Sequence, residues 1–230
     1  MIDNKFEYQE KGHKYFYDNK PMTGVTTVLG TIAKPQLISW ASKMCYEYVK
    51  EHSAYDNGYY HIKDEDLELA KNAHTRKKED AGDIGTLVHK AIEEWIKTEK
   101  EPELDEQGMG MFNKFRAWAT DNKVKFLASE KQVYNLKSFY AGTLDFICEI
   151  DGKKYIGDFK TSSGIYGREY FAQCAGYRYA LEDMGDEEEY NGCVIVRCGK
   201  KGDFEVKYSY DHETDLEIFK SALSIYRLNK

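Results

Sequence analysis

The sequence lacks several features that would place the chain in common protein classes. It contains no low-complexity or compositionally disordered stretch in its 230 residues. Its longest apolar runs, such as Cys193–Val196, are far too short to span a bilayer, so we predict no membrane segment. The first residues lack the basic and then apolar pattern of a signal peptide. We therefore expect a protein that works in the cytoplasm.

Cysteine is sparse and scattered along the chain. The five cysteines include no Cys-x-x-Cys pair. Together with the missing signal peptide, this pattern favours reduced structural thiols over a disulfide framework. The residues concerned are Cys45, Cys148, Cys174, Cys193 and Cys198.

Basic residues are outnumbered, with 33 Lys and Arg against 40 Asp and Glu and a net charge of −7. Counterion release from a basic surface supplies most non-specific affinity for DNA, so this balance argues against a protein that mainly coats nucleic acid. A nuclease is still compatible with it, because a metal centre concentrates carboxylates while a local basic groove lies beside them.

Hydrophobic periodicity predicts helices in the first half of the chain and strands in the second. The chain begins with a predicted hairpin, whose turn is Asp18-Asn19, and a short extended segment. Helices are then predicted over Pro35 to about His52, 64–80, Ile84–Lys100 and Gly108–Asp121. Asp83 is the predicted N-cap of the third of these helices, and Tyr55–Tyr60 is predicted to be a loop. Strands follow over Val124–Leu127, Gln132–Leu136, Phe139–Ile150, Lys153–Phe159, Gly192–Arg197 and Phe204–Tyr210, with a turn at Gly199–Gly202 and helices over Arg168–Leu181 and Glu213–Leu228.

This order predicts a mixed α/β (α+β) fold, with a central mixed sheet flanked by helices. With no internal repeat or linker, we predict a single domain over 1–230. Its parts are the hairpin and extended segment (1–34), a helical region (35–122), and the core sheet with flanking helices (123–230).

The segment 141–162 contains the residues that best indicate chemistry. Asp145 and Asp158 lie in consecutive predicted strands joined by a tight Asp151-Gly152 turn. Adjacent antiparallel strands are about 5 Å apart, so the two carboxylates can converge on one hard cation. Lys160 follows Asp158 by two residues and therefore has the same side-chain direction. Near a divalent ion its pKa would be depressed, which suits it to position or deprotonate an attacking water for phosphodiester hydrolysis.

A D-x-K triplet by itself is usually a solvated pair on an exposed strand. Here Asp158 lies at the end of an apolar strand, and the strand paired with it in the hairpin contains a second acid, Asp145. This setting favours the metal site. His89 on a predicted helix is a candidate third ligand, although a lone histidine is more often structural, and an imidazole would favour Mn²⁺ over Mg²⁺. Glu130 can reach the same metal from a strand-entry turn, or be an exposed acid.

Gln173 and Tyr177 are four residues apart on the helix that follows, so they share one face. Either they are a core tyrosine and an incidental amide, or they meet a phosphate or a base beside the metal site.

Five short motifs in this order resemble the RecB-like exonuclease branch of the PD-(D/E)XK nucleases. They are G-T-x-x-H ending at His89, Glu130, G-T-x-D ending at Asp145, D-x-K from Asp158 to Lys160, and Q-x-x-x-Y from Gln173 to Tyr177. Each motif is weak by itself, but their order and spacing are fairly specific. The opening segment, with Gly24-Val25-Thr26 and Trp40, is also similar to phage exonucleases and mitochondrial genome-maintenance exonucleases, although the usual serine is absent.

The resemblance implies a restriction-endonuclease-like core with Mg²⁺ or Mn²⁺ held by Asp145, Asp158 and His89. It also implies a catalytic Lys160, with Gln173 and Tyr177 near DNA, and an N-terminal helical arch supplied by residues 35–80. Some relatives hold an iron–sulfur cluster with four cysteines. Here only Cys45 lies upstream and only two cysteines downstream, so no such cluster is expected.

We therefore predict a metal-dependent DNA exonuclease acting on free ends, preferentially of single-stranded DNA, in recombination, repair or phage DNA metabolism. If phage-encoded, it would act in the host cytoplasm. Thr161 and Ser162, like Gln173 and Tyr177, would contact phosphate or base, and Glu130 would assist catalysis. The alternatives are an endonuclease on the same core, a non-catalytic DNA-binding protein with a decayed nuclease core, and an unrelated α/β domain.

Overall fold

The chain, in a computed structural model that describes residues 3–200 and 202–230 (backbone only at 79–81), is a mixed α/β protein. It divides into two compact units. The larger comprises Met1–Ile32 and Leu87–Lys230, and the smaller comprises Ala33–Thr86. The single domain predicted over 1–230 stays a prediction.

A mixed sheet forms the centre of the larger unit. Its strands, among the described residues, are β1 (Phe6–Gln9), β2 (Lys14–Tyr17), β3 (Lys20–Gly24), β6 (Lys125–Asn135), β7 (Tyr140–Ile150), β8 (Lys153–Lys160), β9 (Tyr190–Cys198) and β10 (Phe204–Ser209). They run in the order β1-β2-β3-β7-β8-β9-β10, with β6 also paired to β7. The β3–β7 and β8–β9 pairs are parallel and the other pairs are antiparallel.

Helices cover both faces of this sheet. They are α1 (Val25–Leu29), the end of α4 (Ala73–Thr98), α5 (Glu106–Asp121), α6 (Glu169–Asp183) and α7 (His212–Leu228). Ile156 of β8 belongs to an apolar core with α1, α6 and α7. Phe159 contacts Phe115 of α5 at 5.6 Å between ring centroids. Residues an odd number apart in a strand have opposite directions, so these two clusters lie on opposite faces.

The smaller unit contains α2 (Pro35–His52), a hairpin of β4 (Ala54–Asp56) and β5 (Tyr59–His61), α3 (Asp64–Lys71) and the beginning of α4. The Arg76 guanidinium lies 5.0 Å from the centroid of the Tyr48 ring. None of the helices in the described part of the chain is long and apolar enough to cross a membrane.

Several predicted elements are confirmed. The helix over Pro35–His52 has the predicted bounds. The Asp151-Gly152 turn joins β7 to β8 with φ of 50° and 74°, as a two-residue hairpin requires. The Asp18-Asn19 turn, with φ of 50° and 62°, joins β2 to β3. The turn predicted at Gly199–Gly202 includes residue 201, which lies outside the described residues.

Two local predictions near the chain's beginning are wrong. The segment from Val25 to Leu29 was expected to be extended because it is rich in β-branched residues, yet it is helix α1. Val25, Val28 and Leu29 are all buried, and helical spacing places them on one face, so packing overrides the strand propensity. The loop predicted at Tyr55–Tyr60 is the β4–β5 hairpin, whose turn is Asn57-Gly58.

Two boundaries are also corrected. Helix α4 begins at Ala73 rather than Ile84, so Asp83 lies inside it and is not its N-cap. An interior glycine such as Gly82 costs only about 1 kcal/mol, which a 26-residue helix absorbs. The two strands predicted over Val124–Leu127 and Gln132–Leu136 are one strand, β6, because the polar residues between them also pair with β7.

Gly157 of β8 provides a test of this packing. A methyl group at that position would overlap the ring of Phe146, so we expect Gly157→Ala to lower the free energy of unfolding by about 1–3 kcal/mol through overpacking. Gly110→Ala, in helix α5, is the matched control. Outside its own helix backbone, no atom of the described residues lies within 4 Å of the added methyl, so this variant should be as stable as the wild type or slightly more stable. Urea unfolding of the two variants measures the difference, and equal stability would contradict the close packing at Gly157.

Candidate active site at an opening in the sheet

Strand β7 has an incomplete edge, and the candidate site lies there. β6 pairs with one edge of β7 along nearly its whole length. The other edge is shared by two strands: β3 pairs with Tyr140 and Ala141, and β8 pairs only from Phe146 onwards. Among the strands that the structure describes, none pairs with residues 142–145 on that edge, which leaves an opening between β3 and β8.

Asp145 and Asp158 lie at the end of the β7–β8 ladder. The last pair is Phe146 with Gly157, so the two aspartates are the next residues across from each other. Instead of a backbone pair, the Asp145 carboxylate accepts a hydrogen bond from the Phe159 backbone N–H at 2.8 Å. The tight hairpin predicted from the sequence thus brings together the two acids, one from each of its strands.

Asp158 is fully buried and is held by a polar network. Its Oδ1 accepts hydrogen bonds from Lys160 Nζ at 2.8 Å and from Gln173 Nε2 at 2.9 Å. Gln173 Nε2 also lies 3.1 Å from the Tyr177 hydroxyl, to which it donates. Gln173 and Tyr177 are both buried, and the structure brings them to the Asp158 carboxylate through these hydrogen bonds. Their predicted contact with DNA stays a prediction.

The second oxygen of Asp158 faces the Lys160 ammonium. Oδ2 lies 2.7 Å from Lys160 Nζ, and no other donor reaches it in the part of the chain that the structure describes. The ammonium compensates the buried charge, and a carboxylate oxygen in this position can also bind a hard cation.

Burial and neighbouring charges change the protonation of this group. Burial raises the pKa of Asp158 and of Asp145, and the Lys160 ammonium opposes both shifts. Burial by itself would lower the pKa of Lys160, but the two carboxylates raise it above its ordinary value. In this arrangement Lys160 is an ammonium, and the depressed pKa predicted for it would require a bound cation.

His89, on helix α4, lies beside Asp145 and Asp158. Its Nδ1 is 3.7 Å from Asp145 Oδ2, and its ring meets Phe159 edge to face at 4.8 Å between centroids. Burial, followed by the Lys160 charge, lowers the pKa of His89 to about 4. The imidazole is therefore neutral at pH 7, which is the form that binds metals.

Glu130 completes a row of acids, although it lies inside β6 and not in a strand-entry turn. The pairs Ser129–Phe146 and Lys131–Leu144 flank it, so it is across from Asp145. Its φ of 49° marks a local irregularity in the strand. Burial raises the pKa of Glu130 to about 7, with the Asp145 and Glu93 charges adding to the shift.

Glu93 and Arg197 are site residues to which sequence reasoning assigned no role. Glu93 is four residues after His89 on α4, so helical spacing places it on the same face. Arg197, 5% exposed, pairs in register with Lys160. Its Nη1 donates to the Ser162 carbonyl at 3.1 Å, and it forms ion pairs with Asp203 and Glu205. A lone arginine ending an apolar strand was the signal that could have identified it.

Thr161 and Ser162 directly follow Lys160, and both are half-buried. Besides the Arg197 contact, the Ser162 hydroxyl donates to the Gly164 carbonyl at 3.1 Å. The turn after Lys160 is thus held at its backbone, while Thr161 and Ser162 stay partly accessible as the predicted phosphate contacts.

The donor set fits a hard divalent cation held by few protein ligands. Over residues 3–200 and 202–230, no group of three or more His, Cys, Asp or Glu side chains is arranged to hold a metal ion. Mg²⁺, however, is commonly bound by one or two carboxylates, with water and substrate phosphate completing its shell. Asp145 and Asp158, whose Oδ2 is paired with Lys160 in the described part of the chain, are two such carboxylates.

The chain matches no protein-family model, and no curated protein is significantly similar to it. Support for a function therefore comes from the side-chain geometry at the opening in the sheet.

The raised pKa of Glu130 gives a pH test on metal-free protein. The native state binds this proton more tightly than the unfolded chain, so Glu130 contributes stability that is present below pH 4.5 and is lost as the pH rises through about 7. Glu130→Gln stays neutral, so we expect its stability relative to wild type to increase from pH 5 to pH 8. The increase should be about 1–3 kcal/mol, at roughly 1.4 kcal/mol per pKa unit.

Urea unfolding in EDTA at several pH values measures this difference. Glu94→Gln, an exposed glutamate on α4, is the control and should show little change with pH. A stability difference for Glu130→Gln that stays constant across the range would show that Glu130 does not titrate in this window.

Proposed function

We propose that this protein is a divalent-metal-dependent deoxyribonuclease with a restriction-endonuclease-like PD-(D/E)XK core, and that it removes nucleotides from free DNA ends. The observation that carries the proposal is the convergence of Asp145, Asp158 and Lys160 at the opening in the sheet. Metal-dependent hydrolysis of a phosphodiester requires carboxylates that hold the cation, and an ammonium beside them can position the attacking water.

Asp145 and Asp158 would hold Mg²⁺ or Mn²⁺, with His89 and Glu130 as further candidate ligands. Such an ion polarises the phosphoryl oxygen and lowers the pKa of a bound water. The protein contributes a fixed position for both carboxylates. Asp145 is held by the Phe159 N–H, and Asp158 by Lys160 and Gln173.

Lys160 would orient the attacking water and stabilise the negative charge that develops on the phosphate. Its Nζ is fixed by Asp158 and lies 3.5 Å from the Gln173 amide oxygen. Its side chain is 21% exposed, so a substrate can reach it. A positioned ammonium needs little reorganisation in the transition state, which is the basis of electrostatic catalysis.

Gln173 and Tyr177 are best assigned to positioning. Each is buried and hydrogen-bonded within the Asp158 network. Gln173 donates to both Asp158 Oδ1 and the Tyr177 hydroxyl, so the pair fixes the carboxylate whose Oδ2 faces Lys160. Thr161 and Ser162, which are more accessible, are the better candidates for phosphate contact.

A non-catalytic DNA-binding protein is the main alternative. A protein that only binds DNA has no need of all three of Asp145, Asp158 and Lys160 at one place. An endonuclease on the same core needs the same residues, so only the substrate can separate it from an exonuclease.

Lys160→Ala tests the catalytic assignment. We expect the rate of DNA cleavage to fall by at least about 10²-fold, because the variant loses the charge that orients the water. The fold should be retained, since Asp158 can take up a proton in place of its partner. Lys153→Ala, an exposed lysine at the other end of β8, is the matched control and should cleave at the wild-type rate. Circular dichroism and melting curves verify folding, and full activity in a folded Lys160→Ala would remove the residue from the mechanism.

End-labelled linear DNA, single-stranded and duplex, is incubated beside a closed circle with Mg²⁺, Mn²⁺ or EDTA. We expect metal-dependent loss of linear DNA, fastest for single strands, with the circle spared. Nicked circles would instead assign an endonuclease. Folded protein that cleaves nothing with either metal would overturn the nuclease proposal and favour DNA binding alone.

A further inference from the structure

The N-terminal hairpin formed by β1 and β2 lies at one side of the opening in the sheet. β2 pairs with β3, and β3 forms the border of the opening opposite β8. The Tyr15 hydroxyl of β2 lies 3.1 Å from Thr143 Oγ1. Thr143 precedes Asp145 by two residues, about 7 Å along a strand, and the alternating burial of β7 places both on one side. The hairpin is therefore anchored next to the catalytic carboxylate.

Tyr8 of β1 is the outer ring on this hairpin. It stacks on Tyr15 with 5.2 Å between ring centroids and 26° between planes. Tyr15 is buried, whereas Tyr8 is half-exposed. The Tyr8 hydroxyl lies 2.9 Å from Nδ1 of His13, which is in the turn between β1 and β2, and this contact fixes the ring. Burial raises the pKa of Tyr8, followed by the Tyr15 and Glu130 charges, which is consistent with a position beside the row of acids.

The tip of the same hairpin is basic. Lys11, His13 and Lys14 are exposed there, with Glu10 the acidic residue of the same turn. The chain as a whole has a net charge of −7, whereas the lysines make this tip locally positive, unlike the acidic opening in the sheet. A partly exposed aromatic ring in the same hairpin as exposed lysines is a combination with which proteins bind single-stranded nucleic acid, because bases stack on the ring and lysines neutralise phosphates.

We propose that the hairpin binds the single-stranded DNA substrate beside the site of cleavage, with an unpaired base stacked on Tyr8 and the neighbouring phosphates near Lys11 and Lys14. This inference rests on the proposed nuclease function and adds its substrate class. An internal base of a duplex is covered on both faces by its neighbours and cannot stack on Tyr8, so the contact favours single strands and frayed ends.

The first experiment compares cleavage kinetics of full-length Tyr8→Leu, Tyr8→Phe and wild type on a single-stranded oligonucleotide. We expect Tyr8→Leu to raise KM about tenfold with little change in kcat, which is the size of effect that loss of one base–aromatic stack produces. Tyr8→Phe keeps the ring and should stay within about twofold of wild type. Tyr210→Leu, an exposed tyrosine at the end of β10, is the matched control and should leave KM unchanged.

A second arm needs no cleavage. Binding of an oligonucleotide containing 2-aminopurine is followed by fluorescence in EDTA, where wild type should quench the base and Tyr8→Leu should not. The double variant Lys11→Ala/Lys14→Ala should lower the slope of log affinity against log salt by about 1.4, at about 0.7 per phosphate contact on a single strand. Because these lysines are exposed, this variant remains informative even if Tyr8→Leu does not fold.

Unchanged KM and unchanged quenching in Tyr8→Leu would overturn the inference while leaving the nuclease function intact. An equal rise in KM on a blunt duplex would also overturn it, because the hairpin would then not select single strands. If wild type cleaves nothing, the nuclease proposal fails, and the fluorescence arm still decides whether the hairpin binds single-stranded DNA.

Discussion

The buried ion pair between Asp158 and Lys160 is the interaction on which the rest of the site depends. Asp158 has no exposure to solvent, so its charge must be compensated within the protein. Lys160 supplies the charge, and Gln173 the second hydrogen bond. Removing one partner of such a pair typically costs about 3–5 kcal/mol unless the remaining group changes its protonation. The same contacts that make the buried carboxylate tolerable also fix the geometry that the proposed chemistry needs.

The strand pairing of β7 places this ion pair beside the opening in the sheet. Because β3 occupies the beginning of one edge of β7 and β8 only its end, residues 142–145 stay open. The N-terminal meander and the central hairpin therefore both contribute to one site, although more than 100 residues separate Tyr15 from Thr143 in the sequence.

Local patterns predicted much of this arrangement. Period-two spacing placed Asp158 and Lys160 on one side of a strand, and the Asp151-Gly152 turn brought Asp145 across from them. Patterns failed where packing outweighed local preference. Val25–Leu29 is helical because its apolar side is buried, despite β-branched residues that favour strands. Glu130 lies within β6 because pairing with β7 continues through a polar stretch that looked like a turn.

By itself the sequence determined most of the order of helices and strands, the hairpin of the two aspartates and the spacing of Lys160, because these depend on contacts between near neighbours in the chain. Only the tertiary structure decided that Gln173 supports Asp158, that Asp145 and Glu93 both act on Glu130, and that Arg197 holds the turn after Lys160. These contacts join distant segments. Which pairs meet depends on sheet order and on how helices bury their apolar faces, and no local pattern encodes either.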